Sequence, residues 1–208
     1  MKELTNIMRT ANKITQTNLP EESFTATESI DRQKYGGEYK MEPTQIGEGQ
    51  TCSAPYIHTI YAAIIHERLK HKKAKILEIG TGTGTQAAII ARLLPNAVII
   101  TTDIYKKLTD TAVKNFKDTR IQNVTAITTS IRDKELHALK QFWAFDCIFF
   151  SCQTSIQAVQ HFTKLIKPNS FFLIPIETDI TDSELRIYDA KLEKHTAIAS
   201  VRFVPYQN

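Results

Sequence analysis

The sequence predicts an α/β fold: a doubly wound (Rossmann-like), mostly parallel sheet with helices on both faces and a C-terminal antiparallel β-hairpin. Three observations predict it. Short apolar runs alternate with longer stretches of helical period, a glycine-rich turn follows the first of those runs, and the chain closes on two β-like segments. Short continuous apolar runs read as strands buried on both faces, which is how parallel strands lie between layers of helices. Strand–helix–strand repetition makes the strands parallel, because each helix carries the chain back across the sheet.

The elements follow in order. Residues 1 to about 40 are polar and rich in Thr, Glu, Asn and Lys, with Leu4, Ile7, Met8 and Ile14 at helical spacing, so a short helix and then a loop are predicted. Gly36, Gly37, Pro43, Gly47 and Gly49 turn the backbone repeatedly and predict a structured loop before residue 50. Pro55 suits a first helical turn, and Ile57, Ile60, Tyr61, Ile64, Ile65 and Leu69 then form one apolar stripe that should face the sheet. Buried strands are predicted at 75–79, 97–102, 124–128 and 145–150, with crossover helices over 86–94, 105–116, 133–142 and 156–166. A fifth strand, 171–176, follows Lys167-Pro168-Asn169-Ser170. Segments 183–192 and 196–206, separated by Glu193, Lys194 and His195, read as the hairpin. There is no internal repeat and no segment that detaches as a linker. We therefore expect one unit, with residues 1–55 supplying an N-terminal helix and a ligand loop and 56–208 the core.

Composition narrows the function. The 208 residues suit a single domain, and a formal charge of +4 with 23% charged residues gives only a mild basic bias, which implies no nucleic acid. Cys52, Cys147 and Cys152 are too few and too unevenly spaced for a disulfide framework or a zinc site, which fits a reducing cytoplasm and a protein without metal. The N-terminus lacks the apolar run of a secretory signal. No window approaches the roughly 20 apolar residues that span a bilayer, so no membrane partner is expected.

The most specific feature is Glu78-Ile79-Gly80-Thr81-Gly82-Thr83-Gly84, which leaves the first predicted strand and opens a helix. Glycines there let the backbone approach a ligand, and the exposed helix amides attract a carboxylate or phosphate. The dinucleotide fingerprint requires glycine at the sixth position, where this chain has Thr85, and its third glycine comes one residue early. The phosphate-loop reading fails because no Gly-Lys-Ser/Thr follows. Acidic Glu78 precedes the glycines, and Asp103 ends the next strand, where a ribose hydroxyl pair would bind. This constellation resembles that of class I methyltransferases and implies S-adenosylmethionine as cofactor.

A second constellation lies upstream: Ile46-Gly47-Glu48-Gly49-Gln50-Thr51-Cys52-Ser53-Ala54-Pro55-Tyr56, with small residues and hydroxyls that can lie against a ligand and supply hydrogen bonds. This run, a helix, and then Leu77-Glu78-Ile79-Gly80-Thr81-Gly82-Thr83-Gly84-Thr85-Gln86 closely resemble the protein-L-isoaspartate O-methyltransferases, which methylate the α-carboxylate of isoaspartyl residues. Further matches are Asn123-Val124, Phe145-Asp146, Leu165-Ile166-Lys167-Pro168, Ile174-Pro175 and Val201-Arg202-Phe203-Val204-Pro205, so the resemblance covers roughly residues 40 to 208.

The resemblance implies that Ser53 is the catalytic hydroxyl beside the acceptor carboxylate. It implies that Gln50, Thr51, Cys52 and His58 lie at the cofactor and that Glu78, Gly80, Thr81, Gly82 and Gly84 line its methionine end. Asp103 would take the ribose, and Ser130 and Ile131 the adenine side. It also implies a protein or peptide substrate, and a monomer. Methyl transfer to a carboxylate needs little acid or base help, because the acceptor is already ionised and a sulfonium is a reactive donor, so alignment should supply most of the rate. Three departures stand out. Thr129-Ser130-Ile131 replaces the family's Gly-Asp-Gly, leaving Ser130 or Asp133 to meet the adenine. Ser151-Cys152-Gln153 replaces small residues after the fourth strand, and the N-terminal region lacks the family's pattern before the loop.

Other residues read as structural. Cys52 has no partner base nearby in sequence and Cys147 belongs to the core. His66 and His71 sit on a solvated helix end, which also accounts for Lys70, Lys72, Lys73 and Lys75. Tyr35 and Tyr39, flanking Gly36-Gly37, fit either a mobile lid or packed loop aromatics. Three functions remain open: isoaspartyl carboxyl methylation, methylation of another carboxylate on the same architecture, and binding of cofactor or peptide without turnover.

Overall fold

The computed structural model describes residues 2–130, 137–178 and 182–203. Seven strands form one sheet: β3 (Lys75–Ile79), β4 (Val98–Asp103), β5 (Val124–Thr128), β6 (Phe145–Phe150), β7 (Ile166–Glu177), β8 (Ser183–Asp189) and β9 (His195–Val201). Their spatial order is β5-β4-β3-β6-β7-β8-β9. The first five in that order are parallel, whereas β8 runs antiparallel to β7 and β9 antiparallel to β8. The order reverses at β3, which continues to β4 and β5 on one side and meets β6 on the other. The crevice at the carboxyl ends of β3 and β6 is therefore the place where a ligand fits an open α/β sheet.

Both faces of the sheet are covered, which is why its central strands read as unbroken apolar runs. Ile76, Ile99, Phe149 and Leu173 join one core with the helices α1 (Lys2–Thr15), α2 (Glu21–Glu28), α3 (Pro55–Leu69), α4 (Thr85–Leu93) and α5 (Lys106–Asp118). Leu77, Ile100, Ile148 and Phe172 face the other core, with α6 (His137–Lys140) and α7 (Ile156–Val159). Two residues among the family matches are braces. Asn123 Nδ2 donates to Leu94 O and Ala97 O, at 3.3 and 3.1 Å. Buried Asp146 accepts from Lys75 N–H at 2.9 Å and from Lys167 Nζ at 2.7 Å, tying the starts of three strands together.

Several elements differ from expectation. The loop after the first helix contains α2, whose Phe24 and Thr27 are buried, with Thr27 Oγ1 3.0 Å from Thr59 Oγ1 of α3. With α1 and α2 over its outer side, α3 buries Thr59, Ala62 and Ala63 as well as the predicted stripe, while Ile64 is only half-buried. The structured loop before residue 50 is a β-hairpin, β1 (Thr44–Gly47) and β2 (Gln50–Cys52), joined by Glu48 and Gly49 with φ of 53° and 68°. Positive φ at both turn residues suits the twist of a two-residue hairpin. The helix expected over 156–166 shortens to α7, capped by Ser155, and continues as a 3₁₀ segment, Gln160–Leu165. Val159, Phe162 and Leu165 are all buried, and a three-residue period puts them on one side. The strand expected at 171–176 begins earlier, at Ile166. Of the helix expected over 133–142, the described part is α6, and Asp133 lies outside the described residues, as do Val204 and Pro205. Among the described residues no helix is long and apolar enough to cross a membrane.

Candidate active site

Among the described residues, two cavities open at the carboxyl ends of β3 and β6. The smaller, about 40 Å³, is a cradle lined by the β2 residues Thr51 and Cys52, by Ser53, by Glu78 to Thr83 without Ile79, and by Ser151. The larger, about 380 Å³, lies between Ile14, Pro43, Tyr56 and the end of β9, where Ser200, Val201, Arg202 and Phe203 line it. Thr51, Ser53 and Ser151 line both. A group in the cradle and a group in the larger cavity therefore meet at these three hydroxyls. Chain folding explains why: the β-hairpin and the N-terminus of α3 carry Thr51 and Ser53, and the end of β6 carries Ser151 from the opposite side.

The turn from β3 to α4 takes positive φ at Gly80, Gly82 and Gly84. Gly80 passes Ser151 so closely that an added Cβ would lie 3.4 Å from the serine Cβ, and at Gly82 it would lie 3.1 Å from Ile46 Cδ1. Asp103, at the end of β4, accepts from Gly82 N–H at 2.9 Å and from Tyr105 N–H at 3.1 Å. Burial raises its carboxyl above the usual range and these amide bonds partly offset that. Its two oxygens retain further lone pairs for ribose hydroxyls.

Glu78 is fully buried, and burial pushes its carboxyl up to about 8 although hydrogen bonds from Thr101 and Ser151 oppose the shift. Those bonds are 2.7 Å from Thr101 Oγ1 to Oε2 and 2.8 Å from Ser151 Oγ to Oε1. An unfolded chain loses this proton near 4.5, so between 4.5 and about 8 the folded protein holds a proton that the unfolded one lacks. Stability conferred by that proton falls as pH rises across the window. Glu78→Gln is expected to unfold at higher urea than wild type, by a margin that widens from pH 5 to pH 8; a constant margin would show that Glu78 is ionised throughout.

His58 was expected near the site. It is buried, with Nδ1 2.8 Å from Gln86 Oε1 and Nε2 3.7 Å from Cys52 Sγ. Gln86 Nε2 donates to His58 O at 3.3 Å, which orients the amide so that its oxygen accepts from Nδ1–H and leaves Nε2 as a lone pair facing the thiol. Cys52 thus lies between His58 and Thr85, whose Oγ1 is 3.4 Å from Sγ. Burial, with Arg32 nearby, drives His58 down to about 3, so it is a poor proton acceptor, and the pair anchors the loop rather than forming a nucleophile.

The remaining candidates are dispersed. Gln50 lines neither cavity and donates from Nε2 to Glu48 O at 3.3 Å. Gly84 lies behind the cradle, where it caps α4. Ser130 is exposed beyond β5, and Ile131 lies outside the described residues. Cys147 is fully buried, as expected, and Lys70, Lys72 and Lys73 are exposed. Tyr35 is a packed aromatic rather than a lid: it is fully buried, its hydroxyl lies 2.7 Å from Thr119 Oγ1 and its carbonyl accepts from Thr83 Oγ1. Tyr39 is exposed and donates to Asp31 at 2.6 Å. Ile46, Thr83 and Tyr56 line the cavities from within the two motifs, whereas Gln86 in the cradle and Ile14, Asp182 and Ser200 in the larger cavity are lining residues that sequence reasoning did not assign to the site. Their places depend on long-range packing.

The residues present fit S-adenosylmethionine: side-chain-free backbone at Gly80 and Gly82, a carboxyl in the cradle that can face a cation, and an acid at the end of the neighbouring strand. The sheet order, glycine turn and strand-end carboxylate together define a class I methyltransferase fold. A solved protein of this fold, a protein-L-isoaspartate O-methyltransferase homologue from Plasmodium falciparum in complex with S-adenosyl-L-homocysteine, superposes with a TM-score of 0.82 at 24% identity, covering 99% of this chain and 97% of that one. The chain belongs to the protein-L-isoaspartate(D-aspartate) O-methyltransferase family, whose model matches residues 3–208 and so reaches further toward the N-terminus than the motifs alone. The protein-L-isoaspartate O-methyltransferase of Thermosipho melanesiensis is 28% identical over 190 residues, covering 86% of this chain and 91% of its own length. That of Shewanella pealeana is 41% identical over 86 residues, a match spanning 41% of this chain and only 38% of the relative.

Proposed function

We propose that this protein transfers the methyl group of S-adenosylmethionine to a carboxylate on a protein or peptide, and that the acceptor is the α-carboxylate of L-isoaspartyl residues. The observation that carries this reading is the meeting of the two cavities at Ser53. The cofactor supplies an electrophilic methyl on sulfur. Glu78, Gly80 and Gly82 would hold the donor end, and Asp103 would take the ribose. The larger cavity, lined by Ser200 and Val201 at the end of β9, would take the peptide, and Ser53 would hold one carboxylate oxygen while the other attacks. No general base is required, because the acceptor is already ionised. Holding both groups at one junction would align donor with acceptor.

The test is transfer of a labelled methyl group to an isoaspartyl peptide beside its aspartyl twin. Selective methylation of the isoaspartyl peptide is expected; equal labelling of both peptides, or of neither, overturns the assignment. Methylation of a different carboxylate is a second reading, favoured by the polar Ser151 at the cavity junction. A screen of carboxylate peptides with the same label separates the two.

A further inference from the structure

Ser151 lies where the cradle and the larger cavity join. It follows the last residue of β6, its backbone N–H donates to Ile79 O at 2.8 Å, and it is half-buried between the cradle and the larger cavity. Its hydroxyl carries one proton, and that proton is directed at Glu78 Oε1 at 2.8 Å. On the far side of the same carboxyl, Thr101 Oγ1 donates to Oε2 and itself lies 2.7 Å from Thr81 Oγ1. A cation in the adjoining cradle favours the ionised form of Glu78, which accepts from both hydroxyls. Ser151 Oγ then presents only lone pairs to the junction.

A lone-pair-only oxygen beside a carboxylate site repels a second carboxylate oxygen and attracts an N–H. Ser53, by contrast, has no hydrogen-bond partner for its hydroxyl among the described residues and can donate. An α-carboxylate on a peptide comes with a backbone N–H on the same α-carbon. We propose that Ser151 is a specificity-determining residue that accepts a hydrogen bond from the backbone N–H of the residue being methylated, while Ser53 donates to its carboxylate. The inference rests on the carboxyl-methylation reading and adds how the acceptor is oriented: two serines of opposite polarity fix the α-carbon substituents, so that one carboxylate oxygen points at the cradle. A free side-chain carboxylate of ordinary aspartate has no N–H on the carbon that bears it, and Ser151 discriminates against it.

The test compares an isoaspartyl peptide with its depsipeptide analogue, in which an ester oxygen replaces that N–H without added bulk. Wild type is expected to lose about 10-fold in kcat/KM on the analogue, the scale of one neutral hydrogen bond in an enclosed site. Ser151→Ala should lose a similar factor on the native peptide and treat peptide and analogue alike within about twofold. Ser151→Cys, a near-isostere and a weaker acceptor, should fall between. Urea denaturation serves as the control for folding, and calorimetry with S-adenosylhomocysteine measures how far loss of the Ser151–Glu78 bond reaches the cradle. If Ser151→Ala discriminates against the analogue as strongly as wild type does, or loses product affinity instead, the inference is overturned while the carboxyl-methylation reading stands. Failure of wild type to methylate the isoaspartyl peptide overturns both.

Discussion

Replacing Gly84 with alanine is expected to destabilise the protein by about 2–5 kcal/mol, enough to lower the thermal midpoint on the order of 10 °C in a chain of this size. Two costs add. Gly84 has a φ of 92°, a conformation that charges a Cβ-bearing residue roughly 1–2 kcal/mol. The new Cβ would also lie 2.6 Å from Cε1 and Cζ of Phe116 and 3.2 Å from Ala112 Cβ, and overpacking of this kind costs about 1–3 kcal/mol. Phe116 cannot easily yield, since its ring packs 6.5 Å from that of Tyr35, which is held by Thr119 and by the Thr83 hydroxyl. Because Gly84 caps the helix whose first turn lines the cradle, cofactor affinity should fall together with stability. Urea denaturation measures the first and calorimetry the second. Phe116→Leu in the Gly84→Ala background should recover part of the loss by removing the clash. If Gly84→Ala matches wild type in both measurements, the glycine is there for neither reason.

The contrast between what the sequence shows and what it conceals follows from the range of the interactions. Strands such as 75–79 and 145–150 were legible because burial on both faces leaves no polar alternation, and the glycine turn was legible because its chemistry is local. The helix α2 was not, since only Phe24 and Ala26 give it an apolar character and its buried Thr27 and Ser23 read as surface residues until α3 is placed beneath them. At the site, Ser53, Gly80 and Asp103 could be named from motif positions. The Cys52–His58–Gln86 arrangement could not, because its members come from β2, α3 and α4. Nor could the Ser151–Glu78 bond, which exists only because β6 lies beside β3 in the sheet. What a motif encodes is the loop that meets the ligand; what it omits is the neighbour that tunes each group.

Ser53→Ala is expected to reduce kcat/KM for the isoaspartyl peptide by roughly 10- to 100-fold, because a hydrogen bond to a charged group contributes about 1.5–3 kcal/mol and each 1.4 kcal/mol is a factor of ten. Ser53 is half-buried where the cradle and the larger cavity join, so its hydroxyl can reach an acceptor in the larger cavity. The loss should appear mainly in kcat if Ser53 sets the angle of attack, since an acceptor held by the rest of the cavity still binds but meets the methyl group poorly aligned. It should appear in KM if the serine mainly anchors the substrate. Product affinity should hardly change, because Glu78 and the glycine turn remain in place. Steady-state kinetics with product calorimetry distinguishes these cases, and an equal loss of product affinity would move Ser53 from the acceptor side of the junction to the donor side.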